Sequence, residues 1–329
     1  MSIRRVTLPG TDLQTSAIGF GCASLGSRIA TSDGLRSLEA GYEAGVTWYD
    51  VAPPYGAGEA EIVLGEFLKT RRDRVQVCTK VGLTHPERNQ LMKLVYATAR
   101  PVAGKLKALR RGFRALPSTR YRKVPLDAPT MRASLDRSLA RLGTDHVDVF
   151  ALHDPDVSDV TRDEVLRALE EMQRSGKARY ISVAGNLPAC LAGIALPSPF
   201  GIAQFADAPG SNARWQVVEA AGRPVATVTH SVFGVDGSHE RLRQRLISDP
   251  AARGRLATAG YDGSPEATAS ALLMDRALAA NQEGVVLASM FSAAHRNHNI
   301  ERASRPVPQA AVDLLRSLSE YPALEAASA

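Results

Sequence analysis

Short apolar runs alternate with segments whose apolar residues recur every three or four positions, from about residue 17 to about residue 303. The short runs predict strands at 17–21, 46–50, 75–80, 147–152, 179–184, 201–206, 224–230 and 284–289. Val147-Asp148-Val149-Phe150-Ala151-Leu152 and Val285-Val286-Leu287-Ala288 are almost continuously apolar, as in parallel strands covered on both faces. The helical spacing predicts helices at 32–44, 59–70, 129–142, 161–175, 187–194, 211–221, 266–280 and 292–303. Ser32 and Thr161 read as N-caps, Thr161 with Glu164 in a capping box, while Gly143 and Gly176 fall where helices should stop. Arg4 to Leu13 reads as a hairpin turned at Pro9-Gly10. Eight strands alternating with eight helices predict a single α/β domain over 1–329, a closed (β/α)8 TIM barrel with an N-terminal hairpin.

In such a barrel, chemistry gathers at the carboxyl ends of the strands. The second predicted strand ends in Asp50, and a Pro53-Pro54 turn then delivers Tyr55 before Gly56-Ala57-Gly58-Glu59 opens a helix. A carboxylate at the end of a buried strand is costly to desolvate unless it has a partner or a task. Read alone, Asp50 also fits a helix-capping or turn acid and Tyr55 a packing aromatic, the less favoured reading. The third strand ends at Lys80, the fourth at His153, the fifth leads to Asn186, the sixth to Gln204 and Asp207, and the seventh to His230-Ser231. Acid, tyrosine, lysine and histidine around one mouth form a much rarer set than any one of them.

Composition narrows the setting. Hydrophobic residues at 44% and charged residues at 22% are ordinary globular values. No apolar run reaches the ~18 residues of a membrane span, and the opening residues have no signal-like apolar core. Cys22, Cys78 and Cys190 are too few and too scattered for a disulfide framework, so buried free thiols and a cytoplasmic location are expected.

Asp50-x-Ala-x-x-Tyr55-Gly, Thr79-Lys80-Val81-Gly82 and Leu152-His153 resemble the aldo-keto reductase superfamily. Ala17 to Cys22 and Gly176 to Ile181 resemble it too. The likeness runs from about residue 3 to 304, interrupted mainly at 84–127, and His153-Asp154-Pro155-Asp156 is most similar to its sugar-dehydrogenase branch. The resemblance implies an NAD(P)-dependent oxidoreductase that moves a hydride between nicotinamide and an aldehyde, ketone or aldose. Tyr55 would exchange the proton, Lys80 would lower the phenol pKa, Asp50 would pair with Lys80, and His153 would orient the substrate oxygen.

No Gly-x-Gly-x-x-Gly follows the first strand, so a Rossmann-type site is not expected. The resemblance implies cofactor contacts from Gly21, Cys22, Ala23 and Asp50, with Asn186 and Gln204 on the nicotinamide amide. Ala184-Gly185-Asn186 is one residue longer than the family's usual Ser-Asn. His230 stands where the family has a stacking tyrosine, and either stacks or faces substrate; Ser231 and Phe233 follow it. Ser289, Phe291, Ser292, His295 and Asn299 match the segment that grips the adenosine phosphate. Ser289 lacks the usual basic side chain, so NADP(H) is favoured only modestly over NAD(H).

Residues 84–124 carry eleven bases and one acid, a net +10 against a whole-chain +6, so the remainder is mildly acidic at −4. This insertion reads as a solvated helical flap or as a lid that recruits anionic ligands. Aromatic interleaving is sparse, so the expected partner is a small carbonyl or alcohol rather than nucleic acid. Two rival readings remain. One is a metal-dependent enzyme using Asp50, His153, Asp207 and His230, which leaves Tyr55 and Lys80 without roles; the other is a nucleotide-binding regulatory subunit.

Overall fold

The computed structural model describes residues 2–85, 121–197, 199–234, 237–306, 313 and 315. Two short strands, β1 (Arg5–Thr7) and β2 (Gln14–Ser16), pair antiparallel as the opening hairpin. The barrel follows with β3 (Ile18–Gly21), β4 (Trp48–Asp50), β5 (Gln76–Val81), β8 (Val147–His153), β9 (Ala178–Gly185), β10 (Phe200–Ala206), β11 (Ala226–His230) and β12 (Val285–Ala288). All eight pair in parallel, and β12 closes the ring against β3 through Val286–Ile18, Leu287–Gly19 and Ala288–Phe20. Each predicted barrel strand is present to within two residues.

Strand periodicity separates two cores. Trp48, Cys78, Val149, Ala151, Ile202, Ala226, Val228 and Leu287 fill the barrel interior, where Val6, Leu8 and Leu13 of the hairpin join them and close its amino-terminal end. Residues of opposite parity, such as Tyr49, Val77 and Phe150, face the helical layer. Tyr49 lies 5.9 Å from the Phe20 ring and 4.9 Å from that of Phe67.

The outer layer comprises α1 (Thr31–Glu43), α2 (Glu59–Leu68), α3 (Ala128–Leu142), α4 (Val157–Val160), α5 (Asp163–Arg174), α6 (Leu187–Ile194), α7 (Ala213–Ala221), α8 (Ser238–Ser248), α9 (Pro250–Thr258), α10 (Pro265–Ala280) and α11 (Ala293–Ala303). The short α4 and the pair α8 and α9 were not expected; α8 buries only a sparse stripe, chiefly Leu242 and Leu246, within a highly charged stretch. Both expected N-caps are corrected. Helix α1 is capped at Ala30 and α5 at Arg162. Thr161 instead closes α4, donating to the Val157 carbonyl at 3.2 Å, and Glu164 accepts from the Ala128 amide at 3.3 Å. The capping box lies one turn earlier, between Asp156 and Asp159. Gly143 and Gly176 end their helices with φ of 65° and 77°.

The insertion leaves and rejoins the barrel through an antiparallel stem, β6 (Leu83–Thr84) with β7 (Arg122–Lys123). The expected lid falls mostly on 86–120, outside the described residues. Among the described residues, no helix is long and apolar enough to cross a membrane.

Candidate active site

Pleat parity carries the barrel interior up to its mouth. Asp50 stands two residues beyond Trp48, Lys80 beyond Cys78, His153 beyond Ala151, Gln204 beyond Ile202 and His230 beyond Val228. Each of these polar groups therefore points along the same side of its strand as an interior apolar residue. Their convergence follows from the closed topology.

Lys80 and Asp50 are 1% and 3% exposed. Lys80 Nζ donates to Asp50 Oδ1 at 2.6 Å and to the Val51 carbonyl at 3.2 Å. Burial alone would pull the lysine pKa down, but Asp50 and the neighbouring Tyr55 outweigh it and hold the ammonium firmly charged. Asp50 Oδ2 is buried without a hydrogen-bond partner.

Tyr55 arrives on a tight turn, its amide bonded to the Ala52 carbonyl at 3.0 Å. The chain then passes through positive φ at Gly56, Ala57 and Gly58. At Gly56, with φ of 57°, a Cβ would stand 2.7 Å from the Leu25 carbonyl oxygen, so a larger residue would push the turn away. Lys80 Nζ lies 5.6 Å from the Tyr55 ring centroid, and the His153 ring meets that of Tyr55 edge-on at 6.0 Å.

The resemblance implies that Lys80 lowers the phenol pKa, and its charge does act in that direction, against a larger effect of burial. Burial pushes Tyr55 up to about 12; the Lys80 charge lowers it but does not overcome desolvation. His153 is held down at about 3 by burial, with the charge of Lys80 adding to it, and its Nδ1 has no partner. At neutral pH the site thus presents a protonated phenol beside an uncharged imidazole.

The expected cofactor residues are placed unequally. Gln204 is 5% exposed, and its Oε1 is buried without a partner. The Asn186 side chain caps α6, accepting from the Ala189 amide at 3.0 Å, while its Nδ2 donates to the Pro155 carbonyl at 2.9 Å. Gly21 ends β3, the Cys22 amide bonds the Asp50 carbonyl at 2.9 Å, and Ala23 is exposed. His230 Nδ1 lies 3.0 Å from Ser231 Oγ, and burial lowers the histidine pKa. Phe233, three residues beyond the end of β11, meets His239 edge-on at 5.7 Å. Ser289, Ser292 and His295 are exposed at the start of α11, where Ser292 accepts from the His295 amide at 3.1 Å. Phe291 packs on Phe20 at 5.0 Å, and buried Asn299 reaches the Ser289 carbonyl at 3.5 Å.

The metal reading fails on the acids it needs. Asp207 is buried against Arg276 at 3.1 Å, and Asp50 is committed to Lys80. Among the described residues, no three His, Cys, Asp or Glu side chains converge as a ligand set. All three cysteines are buried and free, as expected.

Sequence reasoning missed Glu61, which is fully buried. It accepts from Thr79 Oγ1 at 2.8 Å and from Arg141 Nη1 at 2.9 Å. A charged residue on the apolar face of α2 was the available signal.

The Aldo/keto reductase family model matches residues 17–194, slightly more than half of the chain. The chain belongs to the aldo/keto reductase family. It is 31% identical over 192 residues to D-threo-aldose 1-dehydrogenase of a Pseudomonas species, covering 56% of this chain and 54% of that protein. It is 28% identical over 183 residues to L-galactose dehydrogenase of Arabidopsis thaliana, covering 54% and 47%. The chain thus spans about half the length of the curated relatives it matches. An aldo-keto reductase from Bacillus halodurans in its holo form superposes with a TM-score of 0.68 at 20% identity, over 97% of this chain and 96% of that one. One from Klebsiella pneumoniae in complex with NADPH gives 0.66 at 19%, over 98% and 97%. At these identities the structural likeness carries the fold alone.

Proposed function

We propose that this chain is an NAD(P)H-dependent oxidoreductase that interconverts a carbonyl compound and its alcohol, with Tyr55 as proton donor in reduction and acceptor in oxidation. The supporting observation is a buried, charged Lys80–Asp50 pair beside a protonated Tyr55 and a neutral His153. The family to which the chain belongs, and relatives named as sugar dehydrogenases, point the same way. When bound, the nicotinamide supplies the hydride.

The side chains then have separable tasks. Tyr55 holds the proton that a newly formed alkoxide takes up, and Lys80 stabilises the phenolate left behind. Asp50 keeps the ammonium in place and limits its motion. His153, neutral and with an unused ring nitrogen, orients the substrate oxygen. A phenol held near 12 is fully protonated at neutrality, so the proton needed in reduction is present on Tyr55.

The mouth fits a nicotinamide cofactor at particular atoms. Gln204 Oε1 is a buried acceptor awaiting a donor such as a carboxamide N–H, and Asp50 Oδ2 is a second. Gly21, Cys22, Ala23, His230 and Ser231 surround the same strand ends, while Ser289, Ser292, His295 and Asn299 would serve the phosphate end. NADP(H) is the favoured form, in keeping with the NADPH held by the Klebsiella pneumoniae neighbour. The substrate is a small carbonyl or alcohol.

The test is Tyr55→Phe, which removes one exchangeable proton and keeps the ring. Turnover should fall by at least ~10²-fold with cofactor affinity retained, and Lys80→Met should be similarly damaging. Near-normal turnover in Tyr55→Phe would overturn the assignment. Cofactor binding without turnover of any carbonyl by the unaltered protein would favour the nucleotide-binding regulatory reading instead.

A further inference from the structure

The loop between β3 and α1, residues 22–30, lies against the turn that carries Tyr55. Two glycines let the backbones touch. A Cβ on Gly56 would stand 2.9 Å from Gly26 Cα, and one on Gly26, with φ of 69°, would run into Glu59. Leu25 is fully buried and anchors the loop. Ser24 gathers its tip: the carbonyl accepts from the Arg28 amide at 3.0 Å and from the Ile29 amide at 3.1 Å, and Oγ accepts from Arg28 Nη2 at 2.7 Å. The exposed Arg28 guanidinium is thus folded back over the strand end, two residues from Cys22, whose amide bonds the Asp50 carbonyl. Burial pushes the Tyr121 phenol up while the Arg28 charge pulls it down, and the Tyr121 ring reaches that of Tyr55 at 6.5 Å.

Among the described residues no acid pairs with Arg28, and the single contact to Ser24 leaves most of its guanidinium fork unspent. The acids of the mouth are committed elsewhere. Asp50 is bound to Lys80, while Asp154, Asp156 and Asp159 all act on Lys123, whose Nζ lies 2.7 Å from Asp156 Oδ1. An uncompensated cation therefore stands on one side of Tyr55. We propose that Arg28 binds a carboxylate of the substrate, so that the protein selects aldehydes or ketones carrying a carboxylate remote from the carbonyl. The inference rests on the reading of Tyr55 as the proton donor, which fixes where the carbonyl oxygen must sit. The planar guanidinium fork matches a carboxylate at the far end of such a molecule. Because Arg28 is exposed, water and salt moderate the pairing, and its effect is a preference rather than an absolute requirement.

The comparison that reads this is the ratio of kcat/KM for meta- and para-carboxybenzaldehyde to that for their methyl esters, with NADPH as the reductant. The unaltered protein should prefer at least one acid over its ester, and less so as salt rises. Arg28→Gln should lower that ratio about threefold to tenfold, between the worth of an exposed ion pair and that of a charge-assisted hydrogen bond. Arg28→Lys should keep part of it, and Arg122→Gln, at the neighbouring exposed base, should leave it nearly unchanged. Because Arg28 is exposed, none of its core contacts is lost, and melting curves verify the fold. No preference for either acid, or an unchanged ratio in Arg28→Gln, overturns the proposal. So does an equal fall in Arg122→Gln, which would assign the effect to the general basic charge of the insertion. Binding of para-carbamoylbenzoate and its methyl ester, unreactive analogues, is measured in parallel by NMR titration. If no aldehyde is reduced, the proposed reaction fails, but a preference for the acid amide that is lost in Arg28→Gln still supports the carboxylate site. In that event, equal affinities of the two amides, or no binding of either, overturn it.

Discussion

Thr79 and Glu61 are joined by a hydrogen bond of 2.8 Å that ties the strand carrying Lys80 to the helix that follows Tyr55. Glu61 is also paired with Arg141, whose guanidinium lies under Gly58, where a Cβ would come within 3.0 Å of its Cζ. One buried carboxylate thus couples β5, α2 and α3 directly behind the Tyr55 loop. Lys80 and Tyr55 come from different elements, and their relative position depends on such cross-links.

Glu61→Ala should therefore cost stability and turnover together. Removing one partner of a buried ion pair costs ~3–5 kcal/mol, and the lower end applies because Arg141 is 34% exposed and can be rehydrated. Urea denaturation should show that loss. The drop in kcat should exceed any change in KM, and Glu61→Gln, which can still accept from Thr79, should recover much of it.

Gln204 offers a test with opposite signs in two states. Gln204→Leu removes a buried acceptor that has no partner, so the cofactor-free protein should melt at the same temperature or higher. The dissociation constant for NADPH should rise by about threefold to tenfold, the worth of one hydrogen bond. Fluorescence titration and thermal melting on the same samples check both. Lower melting with unchanged affinity would make Gln204 a packing residue.

Ser289→Lys should raise the preference for NADPH over NADH, since a 2′-phosphate gains from a cation that the exposed Ser289 does not supply. Titrating both reduced cofactors checks it, and an unchanged preference would place the phosphate elsewhere.

The pH dependence follows from His153 and Tyr55. Reduction needs the phenol protonated and the imidazole neutral, so with pKa values of about 12 and about 3 it should be flat from about pH 5 to about pH 9. Alcohol oxidation needs the phenolate and should climb with pH. Folding stability carries the histidine's sign. Its folded pKa is depressed below 6.5, so the unfolded chain binds the proton more readily, and stability is lost as pH falls from about 6.5 toward 3. His153→Gln should flatten that acid limb in denaturation curves collected at several pH values.

Replacing 86–120 by a short Gly-Ser turn should leave the barrel intact, because the β6–β7 stem already brings the two ends together. It removes nine bases and one acid, a net +8. Association with anionic ligands should consequently lose part of its salt dependence in stopped-flow measurements.

The amino-acid sequence by itself determined the barrel and four of its mouth residues. Continuous apolar runs alternating with 3.6-residue periods admit few other architectures, and the rule placing chemistry at strand ends then selects Asp50, Lys80 and His153, with Tyr55 in the adjoining loop. Local capping was less legible. Ser32 and Thr161 are good cap residues by type, but backbone geometry put Ala30 and Arg162 at those positions. Tertiary structure alone decided which polar groups stay unspent. Asp207 and Asn186 look as available in the sequence as Asp50 and Gln204, yet Arg276 neutralises the first and a helix start occupies the second. It also decided that burial outweighs Lys80 at the Tyr55 phenol, and that Glu61, Arg141 and Tyr121 stand around Tyr55 and its loop. Periodicity is a property of neighbours along the chain. Desolvation and pairing depend on groups tens or hundreds of residues away, and only the closed barrel brings them within reach.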